Sequence, residues 1–126
     1  MSAMPWRVLF ADDDPTAGLL MQAALADGDF ALTLVDNGTD ALDRFRQSSF
    51  DIVLLDIEMS GLDGFEVCAA IRESHGVAFP VVLVTGRRDP AFLERARQLS
   101  AAYLAKPVNW TSLAATLRAL LPARPR

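Results

Sequence analysis

Asp51-Ile52-Val53-Leu54-Leu55-Asp56 is an unbroken apolar run closed at both ends by aspartate, and Val81-Val82-Leu83-Val84-Thr85 repeats the form with a hydroxyl at its end. A strand with one face in water alternates apolar and polar residues. Runs of this length without alternation belong to strands covered on both faces, the habit of central strands in a parallel sheet. Working outward, residues 7–11, 31–35 and 102–105 are three further strand-length apolar runs, and each of the five runs is followed by a helical pattern. Asp14 before Pro15 opens the first helix, with Leu19, Leu20, Ala23 and Ala24 at helical spacing and a stop near Gly28. The second begins after Asn37-Gly38 and carries Ala41, Leu42 and Phe45 on one face; the third covers about 65–74. The fourth follows Asp89-Pro90, with Phe92, Leu93, Ala96 and Leu99 inward, and the fifth starts after Asn109. Five successive strand-helix units predict an α/β fold: a five-stranded parallel sheet with helices on both faces, because every parallel connection needs a crossover.

Composition agrees. A chain of 126 residues is sized for one compact domain, with a core at about 7–121 and short flexible ends at 1–5 and 122–126. With 52% hydrophobic and 22% charged residues and no apolar run near the ~18 needed to cross a bilayer, nothing points to a membrane. The first five residues lack the features of a signal peptide, and one cysteine, Cys68, cannot form an internal disulfide, so a reducing cytoplasm is expected. A net charge of −4 without a basic stripe argues against direct nucleic-acid binding.

In open parallel sheets ligands bind beyond the carboxyl ends of the strands, where strand order reverses. Those ends carry Asp12, Asp13 and Asp14 after the first strand, Asp56 after the third, Thr85 after the fourth and Lys106 after the fifth. In a 2-1-3-4-5 order the first and third strands are neighbours, so Asp12 and Asp13 share a cleft with Asp56. Two carboxylates ~4 Å apart repel by about 4 kcal/mol at an effective dielectric of ~20, so the cleft needs a cation or a raised pKa. Carboxylates, a carbonyl and waters suit Mg²⁺, with Mn²⁺ as a substitute. Lys106 cannot ligate a metal, but with Thr85 it can hold the oxygens of a phosphoryl group. Carboxylate nucleophile, metal, lysine and hydroxyl are the parts of phosphoryl transfer. No Gly-rich nucleotide loop is present, so a donor other than ATP bound to this chain is expected. Three aspartates in isolation are more often a solvated turn or helix cap than a metal site; the residues at the other strand ends reverse that reading, while Asp14 remains mainly a cap.

Together, Asp12-Asp13 after Val8-Leu9-Phe10-Ala11, Asp56, Met59-Ser60-Gly61-Leu62-Asp63-Gly64, Thr85 and Lys106-Pro107 resemble the receiver domains of two-component response regulators, over residues 7–121. The resemblance implies a flavodoxin-like doubly wound fold and a signalling switch rather than an enzyme with an external substrate, its phosphoryl transfer and dephosphorylation self-catalysed. It implies that Asp56 is the phosphoacceptor, Asp13 a direct Mg²⁺ ligand, Asp12 a ligand or water-mediated partner, and Glu58 a ligand through its backbone carbonyl. Lys106 and Thr85 would hold the phosphoryl group, Tyr103 would turn as Thr85 shifts, and Lys106-Pro107 would be cis. The donor would be a histidine kinase or histidine phosphotransfer protein. The output surface would be the fourth helix, fifth strand and fifth helix, which also serves a homodimer. Its reader would be an output domain or a partner protein; Lys106-Pro107-Val108-Asn109-Trp110 resembles receivers that precede diguanylate cyclase or phosphodiesterase modules, though Trp110 reads equally as a buried anchor. A free-standing relay shuttle, a pseudo-receiver that is never phosphorylated and a haloacid-dehalogenase-type phosphatase are the alternatives. The last wants an aspartate where Glu58 stands.

The chain departs from that pattern at Ser60, where a proline is usual, at Gly86, where alanine is usual, and at Ser100, where a glycine often closes the fourth helix. Looser loops are expected at the first two, and a looser or differently capped helix end at the third. His75 is read as a plain surface residue in a polar linker and Cys68 as a small apolar helix residue. Glu58 and Arg87, each two residues beyond a strand-end site residue, are expected to pair across the cleft and slow dephosphorylation.

Overall fold

The computed structural model describes residues 4–26 and 28–122. The expectations for 1–3 and 123–126 lie outside the described residues. Five parallel strands alternate with five helices in the order β1 (Trp6–Ala11), α1 (Pro15–Ala24), β2 (Phe30–Val35), α2 (Gly38–Gln47), β3 (Ile52–Asp56), α3 (Gly64–His75), β4 (Val81–Thr85), α4 (Pro90–Gln98), β5 (Ala102–Ala105) and α5 (Leu113–Leu120). The sheet order is β2-β1-β3-β4-β5, as the sequence predicts. β3 and β4 are buried along their whole length. Alternate residues feed opposite faces. Leu9, Val53, Leu55, Val81 and Leu83 pack with Phe45, Phe65, Ile71 and Phe92 of α2, α3 and α4. Val8, Phe10, Ile52, Leu54, Val82 and Val84 pack with Met21, Leu25, Leu113 and Leu117 around α1 and α5. Each fully buried Leu or Val stabilises by roughly 1.5–3 kcal/mol over leaving it in water.

The inward stripes differ from the predicted ones in two helices. In α1 the buried residue is Met21, while Leu19 and Leu20 are 66% and 41% exposed. In α4 Phe92 and Ala96 are buried and Leu93 is 43% exposed. Both helices carry more apolar residues than one face holds, and the position opposite the sheet decides which turn inward. α5 begins at Leu113 rather than after Asn109, because the Asn109 side chain accepts from the Thr111 hydroxyl at 2.8 Å and the Ser112 N–H at 3.3 Å, closing a turn first. His75 belongs to the last turn of α3, not to a linker; it is exposed, with its ring 4.7 Å from that of Phe45. Cys68 is fully buried, as read, and burial raises its thiol pKa.

Ser100 sits at φ 53°, the left-handed region that favours glycine. Its turn is held by Arg72 on α3, whose guanidinium donates to the carbonyls of Leu99 (2.7 Å), Ser100 (3.0 Å), Gly76 (2.8 Å) and Phe79 (2.7 Å). One side chain thus ties together the entries to β4 and β5.

Candidate functional site

The parallel register brings the carboxyl ends of four strands together: Ala11 stands beside Leu55, Asp56 beside Val84, and Thr85 beside Ala105. Asp12 leaves β1 with its N–H bonded to the Val35 carbonyl at 3.1 Å, and its Oδ1 accepts the Asp14 N–H at 2.9 Å. Asp14 in turn caps α1 through the Thr16 N–H, the role assigned to it from sequence. Asp56 ends β3, and Gly64 packs so tightly beneath it that a Cβ there would lie 2.6 Å from the Asp56 carbonyl oxygen. Asp63 and Glu66 form a reciprocal capping box at the start of α3, holding that helix end against the strand.

Asp12, Asp56 and Thr85 are the buried polar or charged residues among those described. One ligand atom each from Asp12, Asp13 and Asp56 lies within 4.8 Å of the others. Lys106 Nζ stands 3.2 Å from Asp56 Oδ1 and 3.6 Å from Asp12 Oδ2. Asp13, Asp56, Glu58, Thr85, Gly86, Arg87 and Lys106 line a cleft of about 540 Å³. A larger groove of about 670 Å³ beside α1 and α2 shares only Asp12 with the acidic cluster, so the chemical groups converge on the smaller one. Burial raises the Asp56 pKa, the Asp12 charge raises it further, and Lys106 only partly offsets them. Burial pulls Lys106 down, but the Asp56 and Asp12 carboxylates outweigh it and leave the ammonium firmly protonated. Asp12 Oδ2 is buried and finds no hydrogen-bond donor among the described residues. The Lys106 ammonium 3.6 Å from it is shared with Asp56, and one positive charge does not neutralise both carboxylates; the all-oxygen donor set suits a hard divalent ion.

Lys106-Pro107 is cis, as expected. Tyr103 is half-buried, its hydroxyl donating to the Arg87 carbonyl at 2.9 Å and its ring 5.4 Å from that of Phe92. Trp110 is partly buried against the α1-α5 side of the core. The expected Glu58–Arg87 pair is not what forms. Arg87 makes a two-pronged pair with Asp89, both contacts 3.0 Å, because a partner two residues away costs less chain entropy than one across the cleft. From sequence, Asp89 announces only the start of a helix before Pro90, which conceals its second partner.

The sheet order and the strand-end cluster define a doubly wound switch-point site built around a carboxylate, a lysine and a hydroxyl. A family model described as the response regulator receiver domain matches residues 8–118, and the chain belongs to that family, the receivers of two-component signalling. The response regulator MprA of Mycobacterium sp. is 36% identical over 94% of this chain and 51% of its own length. The sensor histidine kinase GacS of Pseudomonas protegens is 36% identical over 90% of this chain and 13% of its own length. Thus the chain spans about half the length of the response regulator and a small part of the kinase. The chemotaxis protein CheY4 of Vibrio cholerae superposes with a TM-score of 0.84 at 26% identity, covering 93% of this chain and 99% of that one. Membership removes the haloacid-dehalogenase alternative. Among the described residues no helix is long and apolar enough to cross a membrane.

Proposed function

We propose that Asp56 accepts a phosphoryl group from a phosphohistidine on a histidine kinase or histidine phosphotransfer protein. An Asp56 carboxylate oxygen forms the new bond to phosphorus as the bond from phosphorus to the imidazole nitrogen breaks; hydrolysis later returns the carboxylate and inorganic phosphate. The observation that carries the reading is a buried, strand-end carboxylate with an ammonium 3.2 Å away, beside a second buried carboxylate oxygen lacking a hydrogen-bond donor. Asp12, Asp13 and Asp56, with the Glu58 carbonyl, would hold Mg²⁺ or Mn²⁺, which supplies charge neutralisation for the incoming phosphoryl oxygens. Lys106 supplies a fixed positive charge on one side and Thr85 a hydroxyl donor on another.

Residues 1–126 act in this reading as a single receiver unit in the cytoplasm, self-catalysing transfer and dephosphorylation rather than turning over an external substrate. Phosphorylation shifts an equilibrium only by interacting differently with its two states, so the signal is a surface change across α4, β5 and α5, with Tyr103 following Thr85. An output domain or separate partner reads that surface. A relay role is the second reading, favoured by the likeness to a segment of a sensor kinase.

The test is intact mass after incubation with acetyl phosphate and Mg²⁺. A phosphoryl-sized adduct that is absent with Asp56→Ala and absent with chelator supports the reading; no adduct under any condition favours a pseudo-receiver.

A further inference from the structure

The segment joining β4 to α4 is tied down at Arg87. Its N–H donates to the Thr85 hydroxyl oxygen at 3.1 Å and its carbonyl accepts from Tyr103 at 2.9 Å. Its guanidinium grips both Asp89 oxygens and lies 5.5 Å from the centre of the Phe92 ring. Asp89 is also the N-cap of α4, accepting the Phe92 N–H at 3.1 Å. Arg87 lines the cleft that holds Asp56, Thr85 and Lys106. One arginine therefore borders the proposed phosphoryl position, touches the switch tyrosine and reaches the first turn of α4.

We infer that the Arg87–Asp89 pair is a latch: it holds the guanidinium back in the unmodified chain, and a phosphoryl group on Asp56 draws Arg87 off Asp89 onto its own oxygens. The inference rests on Asp56 being the acceptor. Asp89 offers one charge, divides it between Arg87 and the α4 backbone, and is 46% exposed to water. A phosphoryl group offers close to two charges and three oxygens, which a planar guanidinium matches with two parallel N–H donors. Lys106 already faces Asp56 and Asp12, so Arg87 is the second cation lining the cleft among the described residues. Glu58, on the same cleft, is the other anion acting on Arg87, and acts more weakly than Asp89. When Arg87 leaves, Asp89 keeps its cap bond while Phe92 loses the overlying cation. The Thr85 and Tyr103 contacts on the Arg87 backbone are pulled with it, so the first turn of α4 senses the state of the cleft.

Asp89→Asn tests the latch, because asparagine keeps an N-cap oxygen but removes the charge. Parent, Asp89→Asn, Arg87→Gln and the double variant are titrated with beryllofluoride, a non-hydrolysing phosphoryl analogue, in Mg²⁺, following intrinsic fluorescence. Asp89→Asn is expected to tighten binding about twofold to fivefold, the strength of a solvent-exposed pair. Arg87→Gln weakens it, and in that background Asp89→Asn has no effect. Unchanged affinity in Asp89→Asn, or the same effect with and without Arg87, overturns the latch. Acetyl phosphate labelling of the parent at Asp56, measured in parallel, separates that result from failure of the acceptor reading, which would remove the latch with it.

Discussion

Replacing Arg72 with alanine removes four hydrogen bonds at once, to the carbonyls of Leu99, Ser100, Gly76 and Phe79. The Gly76 and Ser100 contacts are exposed, and water can replace the guanidinium there. Those to Leu99 and Phe79 are partly buried, and a hydrogen bond from a charged donor in such a place contributes about 1.5–3 kcal/mol. Taking the low end for each sheltered carbonyl gives a loss of about 3 kcal/mol, or a fall of roughly 10 °C in thermal midpoint for a domain of this size. Urea unfolding followed by circular dichroism measures it directly. Arg72→Lys is expected to recover less than half, since one ammonium cannot span the four acceptors. A loss below about 1 kcal/mol in Arg72→Ala would refute the reasoning, because it would mean that water satisfies all four carbonyls in the folded chain.

At Ser100 the left-handed backbone costs a non-glycine residue ~1–2 kcal/mol, of which glycine's greater freedom in the unfolded chain takes back ~0.5–1. Ser100→Gly is therefore expected to stabilise by about 0.5–1 kcal/mol, raising the urea midpoint with unchanged slope. Asp56 carries the opposite kind of strain. Its pKa stands above the ordinary 3.8, chiefly through burial, so below 3.8 the group is protonated folded or unfolded and costs nothing. As pH rises from 3.8 through the folded value the ionised form becomes a penalty, complete only above that folded value. In metal-free buffer Asp56→Asn should raise the thermal midpoint at pH 7 and lose that advantage as the pH approaches 3.8; a lower midpoint than the parent at pH 7 would contradict this.

The strands and their order were legible because burial on both faces leaves an unbroken apolar signature, as in β3 and β4. The site was legible because the sheet rule turns strand ends into neighbours: Asp12, Asp56, Thr85 and Lys106 converge as the sequence predicts. What escaped was set by side-chain competition. Leu19, Leu20 and Leu93 satisfy helical periodicity yet stay exposed, while Met21 takes the inward position in α1 and Phe92 takes it in α4 as expected. Arg87 pairs locally instead of across the cleft. Arg72 sits on an ordinary amphipathic helix, and nothing nearby in the sequence announces acceptors 27 and 28 positions later. Ser100 shows that a turn can keep a glycine's conformation without the glycine when a neighbouring cation holds its carbonyl.

The order of the strands in space differs from their order in synthesis. β1 is sandwiched between β2 and β3, and the last site residue, Lys106, follows β5. A chain emerging from the ribosome therefore presents its acidic residues early, but with no ammonium beside them and no completed wall around Asp56. Until β5 docks on β4, Asp56 lacks the Lys106 ammonium that stands 3.2 Å away in the folded chain, so on the proposed reading a chain cut before β5 is expected to take up no phosphoryl group. On that reading the spread of the site along the chain is a completeness check, its charges meeting only after the whole sheet has closed.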